Sequence, residues 1–396
     1  MGRIRVSLDF KSPLLIGGKK SSSNFINSDD VIKGSVVRAA FAKIILGNCP
    51  VSYISKEKAN WVFKRNKECC ETCKFKSVCE KFANIKFSYF YPKESEVIPL
   101  TSMICKTNKE HGFIDCLVDD KECKECGSGG RVEFTSGLRT INKKKIPFKV
   151  EKSVSVKTAI NPYSKTSADG MLYSIETITA TGTNKLGKKE CIYEGIIEGL
   201  SVEELDLFKT IRVGGDTTVG LGKCTVNCIK ESGKSLESIE YGSLKKFSDK
   251  YRIRNYPKSK LNFIAIKFVG DLKVDFKTAE DEFKAEENIK DDYLTTDQYK
   301  KVWEKALGIT EDYNLKIDKI YTEIINYRGY DTSKTSEDKR ANILTLAVKG
   351  TVIVFASEES VENMCSALNS KKSEFGFCFG NDTENGFGEY VLYDGR

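Results

Sequence analysis

Histidine is nearly absent from this chain: His111 is the one copy in 396 residues. A serine–histidine or two-histidine mechanism would have to run through that single ring. No apolar run approaches the roughly 18 residues a membrane helix needs. The opening residues, Met1-Gly2-Arg3-Ile4-Arg5-Val6, enter an alternating pattern at once and lack the apolar core of a signal peptide. The expectation is a cytoplasmic protein with no membrane partner. Charge of one sign is not in strong excess either, with 64 Lys and Arg against 56 Asp and Glu, or +8. That balance permits a polyanionic partner without requiring one.

Cysteine, by contrast, is plentiful: 14 residues, nine of them between Cys49 and Cys126. In a reducing compartment such crowding points to metal before disulfides. Cys70-x2-Cys73-x5-Cys79 and Cys123-x2-Cys126 are the strongest local signals. A Cys-x2-Cys pair puts two thiolates on one turn, and two pairs complete a zinc shell. The favoured ligands are Cys70, Cys73, Cys123 and Cys126; Cys79, Cys69, Cys105 and Cys116 compete for places, leaving room for a second site. Zinc would act as a structural staple in an insertion too short for its own core, and an iron–sulfur cluster is the minority option. Cys49, Cys191, Cys224, Cys228, Cys365 and Cys378 read as small buried hydrophobes.

At 40% hydrophobic and 30% charged residues the chain is globular, and its length accommodates two cores. Ile4, Val6, Leu8 and Phe10 alternate as in a half-buried strand. Val36, Val37, Ala40, Phe41, Ile44 and Ile45 then recur at helical spacing, with Ser35 as N-cap and Gly47 as C-cap. Strand, long loop, helix is how a βαββαβ unit begins. Strands are expected at 152–158 and 191–197, a short helix at 202–209, and a glycine-rich loop at 212–223 leading into a strand at 224–229. The second half repeats the order: alternating strand 262–268, strand 351–355, helix 360–368, glycine-rich loop 380–388, strand 389–393. The acidic stretch 280–292 reads as a solvated helix face, and the Lys pairs and triples (Lys19-Lys20, Lys143 to Lys145, Lys188-Lys189) as solvated surface.

Neither glycine loop is a nucleotide fingerprint, since a helix precedes it and a strand follows. Glycines there let backbone approach something closely, and free N–H groups can hold phosphate. Arg212 and Lys223 flank the first loop. A tight turn packed on its own helix is the equal alternative.

Gly214-Gly215-x4-Gly220-x-Gly222 after a short helix resembles the signature loop of the RAMP superfamily of CRISPR–Cas proteins. Residues 31–41 resemble that family's element at the start of the first helix, with Lys33 where proline is usual. Lys157-Thr158-Ala159-Ile160, residues 167–173, Tyr327-Arg328-Gly329-Tyr330 and 349–355 are similar to further family stretches in the same order. The Phe87, Tyr91-Pro92, Lys106, His111-Gly112 and Asp115 series is most like the tandem-RAMP subunit of subtype III-D effector complexes. The resemblance implies an α+β fold of two tandem ferredoxin-like domains, 1–230 and 261–396, with a Cys-rich zinc insertion at 49–130 and a linker at 231–260. It implies a non-enzymatic subunit that caps the 5′ handle of CRISPR RNA, docks backbone RAMP subunits and a large polymerase-like subunit, and meets target RNA indirectly. RNA-binding candidates are Lys33, Ser35, Arg38, Lys106, His111, Lys157, Arg212, Gly214, Gly215 and Lys223, with Tyr89, Phe90 and Tyr91 able to stack on bases. His111 is ranked as an RNA contact or structural polar group first, a zinc ligand second and a catalyst last. Two alternatives stand beside this. One is a RAMP endoribonuclease using His111 on the precursor or Asp29 and Asp30 on a target; the other is a zinc-stapled RNA-binding module outside CRISPR.

Overall fold

The computed structural model describes residues 3–22, 24–54, 61–62, 67–127, 129–141, 145–184, 187–229, 241–291, 293–309, 314–327, 343–370 and 378–396. The expected elements at Arg328-Gly329-Tyr330, Lys143-Lys144 and 231–240 lie outside them. Two compact units emerge, 1–94 with 149–232 and 95–148 with 233–396.

In the first unit the alternation at the N-terminus produces β1 (Arg3–Phe10), whose Ile4, Val6, Leu8 and Phe10 are buried. They pack against α1 (Gly34–Gly47), through Val37, Phe41 and Ile45. The chain continues to β2 (Lys86–Phe87), β3 (Ile192–Glu198), α2 (Val202–Leu205) and β4 (Lys223–Ile229). β1 lies between β3 and β4, antiparallel to both, and β2 pairs with the far side of β3. Counting strands in chain order, the sheet runs 4-1-3-2, with Thr210–Arg212 added beside β4. α1 starts two residues earlier than Ser35 as cap would place it: Lys33 is the N-cap, extended at φ −67° and ψ 144°, and makes no side-chain cap bond. The C-cap is Asn48 rather than Gly47. The expected helix at 202–209 is a single turn closed by a Ser201–Glu204 capping box and continued by the 3-10 turn Asp206–Phe208.

The second unit contains α3 (Tyr241–Asn255), β5 (Asn262–Phe268), α4 (Phe276–Glu286), α5 (Thr296–Ala306), β6 (Lys316–Tyr321), β7 (Val352–Ser357), α6 (Val361–Ser370) and β8 (Tyr390–Tyr393). Its sheet runs β6-β7-β5-β8, again 4-1-3-2 in the unit's own strand order, and all pairs are antiparallel. Both faces are covered. Ile264, Ile266 and Phe268 pack with Trp303, Met364 and Leu368 on one side, while Phe263, Ala265 and Val354 pack with Phe247, Tyr251 and Leu117 on the other. This second face corrects two boundaries. The segment expected as linker is helical from Tyr241, because Phe247 and Tyr251 of α3 cover the sheet. Residues 95–148, expected in the first domain with 95–130 part of its insertion, belong to the second unit. Leu117 joins that face, the Leu100 amide donates to the Gly350 carbonyl at 2.8 Å, and the Tyr393 hydroxyl donates to Asp115. Of the acidic stretch expected as a helix face, Glu280 to Glu286 lie on α4, Glu287 is its C-cap, and Asp292 lies outside the described residues; Lys305 of α5 bridges Glu286 at 2.6 Å and Glu282 at 3.3 Å.

The two glycine loops have the same internal geometry. In the first, the Val213 amide donates to Gly222 O, Gly215 N–H to Leu15 O and Gly222 N–H to Pro13 O. In the second, Phe379 N–H donates to Gly388 O, Asn381 N–H to Lys273 O and Gly388 N–H to Asp271 O. Asp216 and Asp382 both sit in the left-handed region, at φ 52° and 58°. A Cβ on Gly222 would stand 1.9 Å from Val213 O, and one on Gly388 1.7 Å from Phe379 O. Gly220, at φ 105°, has open space around it. Gly222→Ala should therefore lower stability by about 2–4 kcal/mol in urea unfolding, against about 1 kcal/mol for Gly220→Ala, where only the backbone is strained. Equal losses would refute a steric role for Gly222.

Candidate functional sites: a metal centre and a basic turn

Within 95–148 three short strands build a platform. Ser102–Cys105 pairs antiparallel with Phe113–Asp115 on one side and Val132–Phe134 on the other. The first strand ends on Cys105, buried. Asn108 then caps the 3-10 turn Lys109–His111 by accepting from the Glu110 amide at 2.9 Å. From the other side of the platform the 3-10 turn Lys124–Cys126 brings in the Cys-x2-Cys pair, and Gly127 leaves it at φ 77°. The Cys123 amide donates to Gly130 O at 2.9 Å. A Cβ on Gly130 would meet Cys123 O at 2.7 Å and Cys126 Cβ at 2.8 Å, so the knuckle closes only over a glycine.

Four donors converge there. Cys105 Sγ lies 3.4 Å from Cys126 Sγ, and His111 Nδ1 lies 3.4 Å from Cys123 Sγ and 3.3 Å from Cys126 Sγ. All four donor atoms fall within 4.8 Å of one another. Zinc–thiolate bonds of about 2.3 Å in a tetrahedron put sulfurs about 3.8 Å apart, so these residues fit one metal ion. Disulfides would need sulfurs at about 2.05 Å, and all these thiols are free. Three thiolates and an imidazole are a donor set suited to zinc, and four protein donors leave no open position for substrate. The Asn108 amide, donating to Cys105 Sγ, holds that thiol down to about 6, whereas hydrogen bonding to Cys105 pushes Cys126 up.

The ligand set expected from sequence is thereby corrected. Cys123 and Cys126 are partnered by Cys105 and His111 of their own unit, while Cys70, Cys73 and Cys79 belong to the other unit. His111, ranked first as an RNA contact, turns its ring nitrogen to two thiols. Cys116, a competitor for the shell, is buried outside the cluster, and burial pushes its thiol up. Beside the cluster opens a 630 Å³ cavity lined in part by His111, Arg139 and Lys145.

The remaining candidates fall into separate groups. Lys33 is buried at 8% exposure, and Ser35 lies inside α1. Arg38 donates to the carbonyls of Ile85 at 2.7 Å and Phe82 at 3.1 Å, and stacks over the Phe82 ring. Its guanidinium thus ties α1 to the turn before β2. Lys106, in the second unit, is exposed, 3.9 Å from Glu133. Gly214 crosses closely over Leu15: a Cβ there would come within 2.3 Å of the Leu15 carbonyl. The amide of Gly215 is taken by that same carbonyl, so it does not wait for a phosphate. Around the loop, however, cations do collect. Arg212 and Lys223 are exposed at its base, Lys157 reaches Asp216 at 3.8 Å, and Lys43 of α1 donates to Thr217 Oγ1 at 3.2 Å. Lys43 had no sequence signal beyond being a lysine on the outer face of an amphipathic helix. Of the expected stacking aromatics, Tyr89 and Phe90 are buried. Asp30 pairs with Lys152 at 2.8 Å.

No helix among the described residues is long and apolar enough to cross a membrane. No protein-family model matches the chain, and no curated protein matches it. Among solved structures, a chain of the type III-B Cmr-beta complex bound to cognate target RNA and AMPPnP has a TM-score of 0.42 at 11% identity, covering 88% of this chain and 86% of that one. A chain of Cmr-beta bound to cognate target RNA has a TM-score of 0.41 at 12% identity over the same shares. One from the apo state has 0.30 at 12% identity, with 58% of this chain and 98% of that chain covered.

Proposed function

We propose that this chain is a non-catalytic guide-RNA-binding subunit of a type III CRISPR effector complex, built as a tandem of two ferredoxin-like RAMP units and stapled by structural zinc. The observation that carries the reading is the duplicated glycine turn. Each 4-1-3-2 sheet has, before its last strand, the same turn with the same three backbone bonds, and in the first unit the sequence of that turn resembles the RAMP signature. The non-catalytic reading draws support from two of the three candidate catalytic residues, since Asp30 is held by Lys152 and His111 faces thiols. RNA is held through its phosphates by the cations around the first turn, Lys43, Lys157, Arg212 and Lys223. On this reading the subunit caps the 5′ handle and contacts the backbone and polymerase-like subunits.

Co-expression with its genomic neighbours, followed by sequencing of the RNA that co-purifies, tests this. RNAs sharing one 5′ handle are expected. Arg212→Glu with Lys223→Glu should cut the recovered guide at least about tenfold and flatten the salt dependence of binding by roughly two charges. Heterogeneous RNA from an intact complex would sink the reading.

A further inference from the structure

The first unit holds a second concentration of thiols that the metal centre does not use. Cys70 lies on the short helix Lys67–Glu71, Cys79 on Lys76–Lys81, and Cys49 follows the C-cap of α1. Successive turn bonds link them: Cys73 N–H donates to Cys70 O at 3.3 Å, Lys76 N–H to Cys73 O at 3.0 Å and Cys79 N–H to Phe75 O at 2.8 Å. Phe75 and Val78, fully buried in the core of this unit, fix where the second short helix sits. Cys49, Cys70, Cys73 and Cys79 all line one cavity of 210 Å³.

A cysteine used only as a small hydrophobe is among the most buried of residues. Cys224, Cys365 and Cys378 behave that way here. The thiols around this cavity are half-buried instead, and although Cys73 and Cys79 also pack against the core, all stay open enough to the cavity to act as ligands. Helices of five and six residues are also too short to hold themselves together.

We propose that Cys49, Cys70, Cys73 and Cys79 form a second structural zinc site, separate from the first, that clamps the two short helices to the end of α1. The Cys70-x2-Cys73 spacing selects Cys70 over its neighbour Cys69, which lines the same cavity. Among the described residues, the donor atoms already gathered within 4.8 Å are those of the first cluster. Zinc binding at the second draws four sulfurs in from the cavity wall to about 3.8 Å apart. Cys49, read from sequence as a buried hydrophobe, becomes the fourth ligand.

Elemental analysis of the full chain purified without chelator should give two zinc ions per chain. Cys73→Ser and Cys126→Ser should each leave one. A single zinc that survives Cys73→Ser overturns the proposal, as does iron in place of the second zinc. Should Cys73→Ser fail to fold, the wild-type protein still decides, through iodoacetamide labelling mapped by mass spectrometry before and after chelation. Cys49, Cys70, Cys73 and Cys79 are expected to label at least about tenfold faster once metal is removed. Equal rates for these four, while Cys105, Cys123 and Cys126 respond, would refute the site.

Discussion

Chelation should strip amide protection from Lys106 and Cys123 by at least about 100-fold, while Ile264 and Ile266 keep theirs. The two regions share a unit but not a source of stability. β5 is buried on both faces between two apolar clusters and needs no metal. The platform at 102–134 consists of strands of three or four residues, below what holds together in water without further support. Its closure rests on the Cys123 amide to Gly130 O and the Lys106 amide to Arg131 O, both beside the thiol cluster. A structural zinc contributes about 10–16 kcal/mol of apparent binding free energy, and in so small a motif binding and folding are one equilibrium. Cys105→Ser should reproduce the effect of chelation without a chelator. Hydrogen exchange read by mass spectrometry is the measurement. Unchanged protection in a protein shown to have lost its metal would mean that the platform stands on packing alone.

Glu96→Gln should destabilise the second unit by about 3–5 kcal/mol at neutral pH. Glu96 lies among three cations, with Arg139 Nε and Lys145 Nζ each at 2.8 Å and Lys267 Nζ at 3.4 Å. Arg139 is 2% exposed and Lys267 5%, so removing the carboxylate takes the negative charge away from two buried cations, although Arg139 keeps the Arg396 oxygen at 3.1 Å. Burial by itself would raise the Glu96 carboxyl. Lys267, Arg139 and Lys145 outweigh it and hold the group down at about 2, against 4.5 ordinarily. A depressed carboxylate contributes stability that is present in full above about pH 4.5 and disappears as pH falls through about 2. That shift corresponds to about 3 kcal/mol, in line with the mutational expectation. The stability gap between wild type and Glu96→Gln should therefore narrow between pH 5 and pH 2. Asp115 works with the opposite sign, since burial pushes its carboxyl up despite bonds from Thr101 and Tyr393, but it is common to both proteins and cancels in the difference. Urea unfolding across that pH range decides the matter. A gap that stays constant would place Glu96 outside the acid response.

Local rules carried the reading far where the information is local. The period of two in β1 and β5, the 3.6 spacing of α1, and the two glycine turns all lie where the pattern puts them, because each is decided by side-chain alternation or by a φ that few residues other than glycine adopt. The N-cap of α1 lies two residues before the expected Ser35 and the C-cap one residue after Gly47, since Lys33 already has extended backbone and leaves Ser35 within the first turn. α3 was missed because its apolar residues, Leu244, Phe247 and Tyr251, are few and set in a basic, polar segment; they matter only because a sheet face lies beneath them.

The thiols show the division most clearly. Composition and the two Cys-x2-Cys spacings were enough to point to a metal-binding cluster in the Cys-rich region, and in the structure one of the pairs joins four donors that could hold an ion. Which donors complete the shell depends on distances between segments far apart in the chain. Cys105 reaches Cys126 because two strands pair through Val132, and His111 arrives on a 3-10 turn leaving the same sheet. Residues 95–148 joined the second unit for a similar reason, through Leu117, Asp115 and Glu96 meeting partners more than a hundred residues away. The sequence alone determined the kinds of element and the chemistry of the donors, because backbone preference and ligand softness belong to each residue. Only the tertiary structure decided who stands beside whom, because a coordination shell is made by packing and not by spacing.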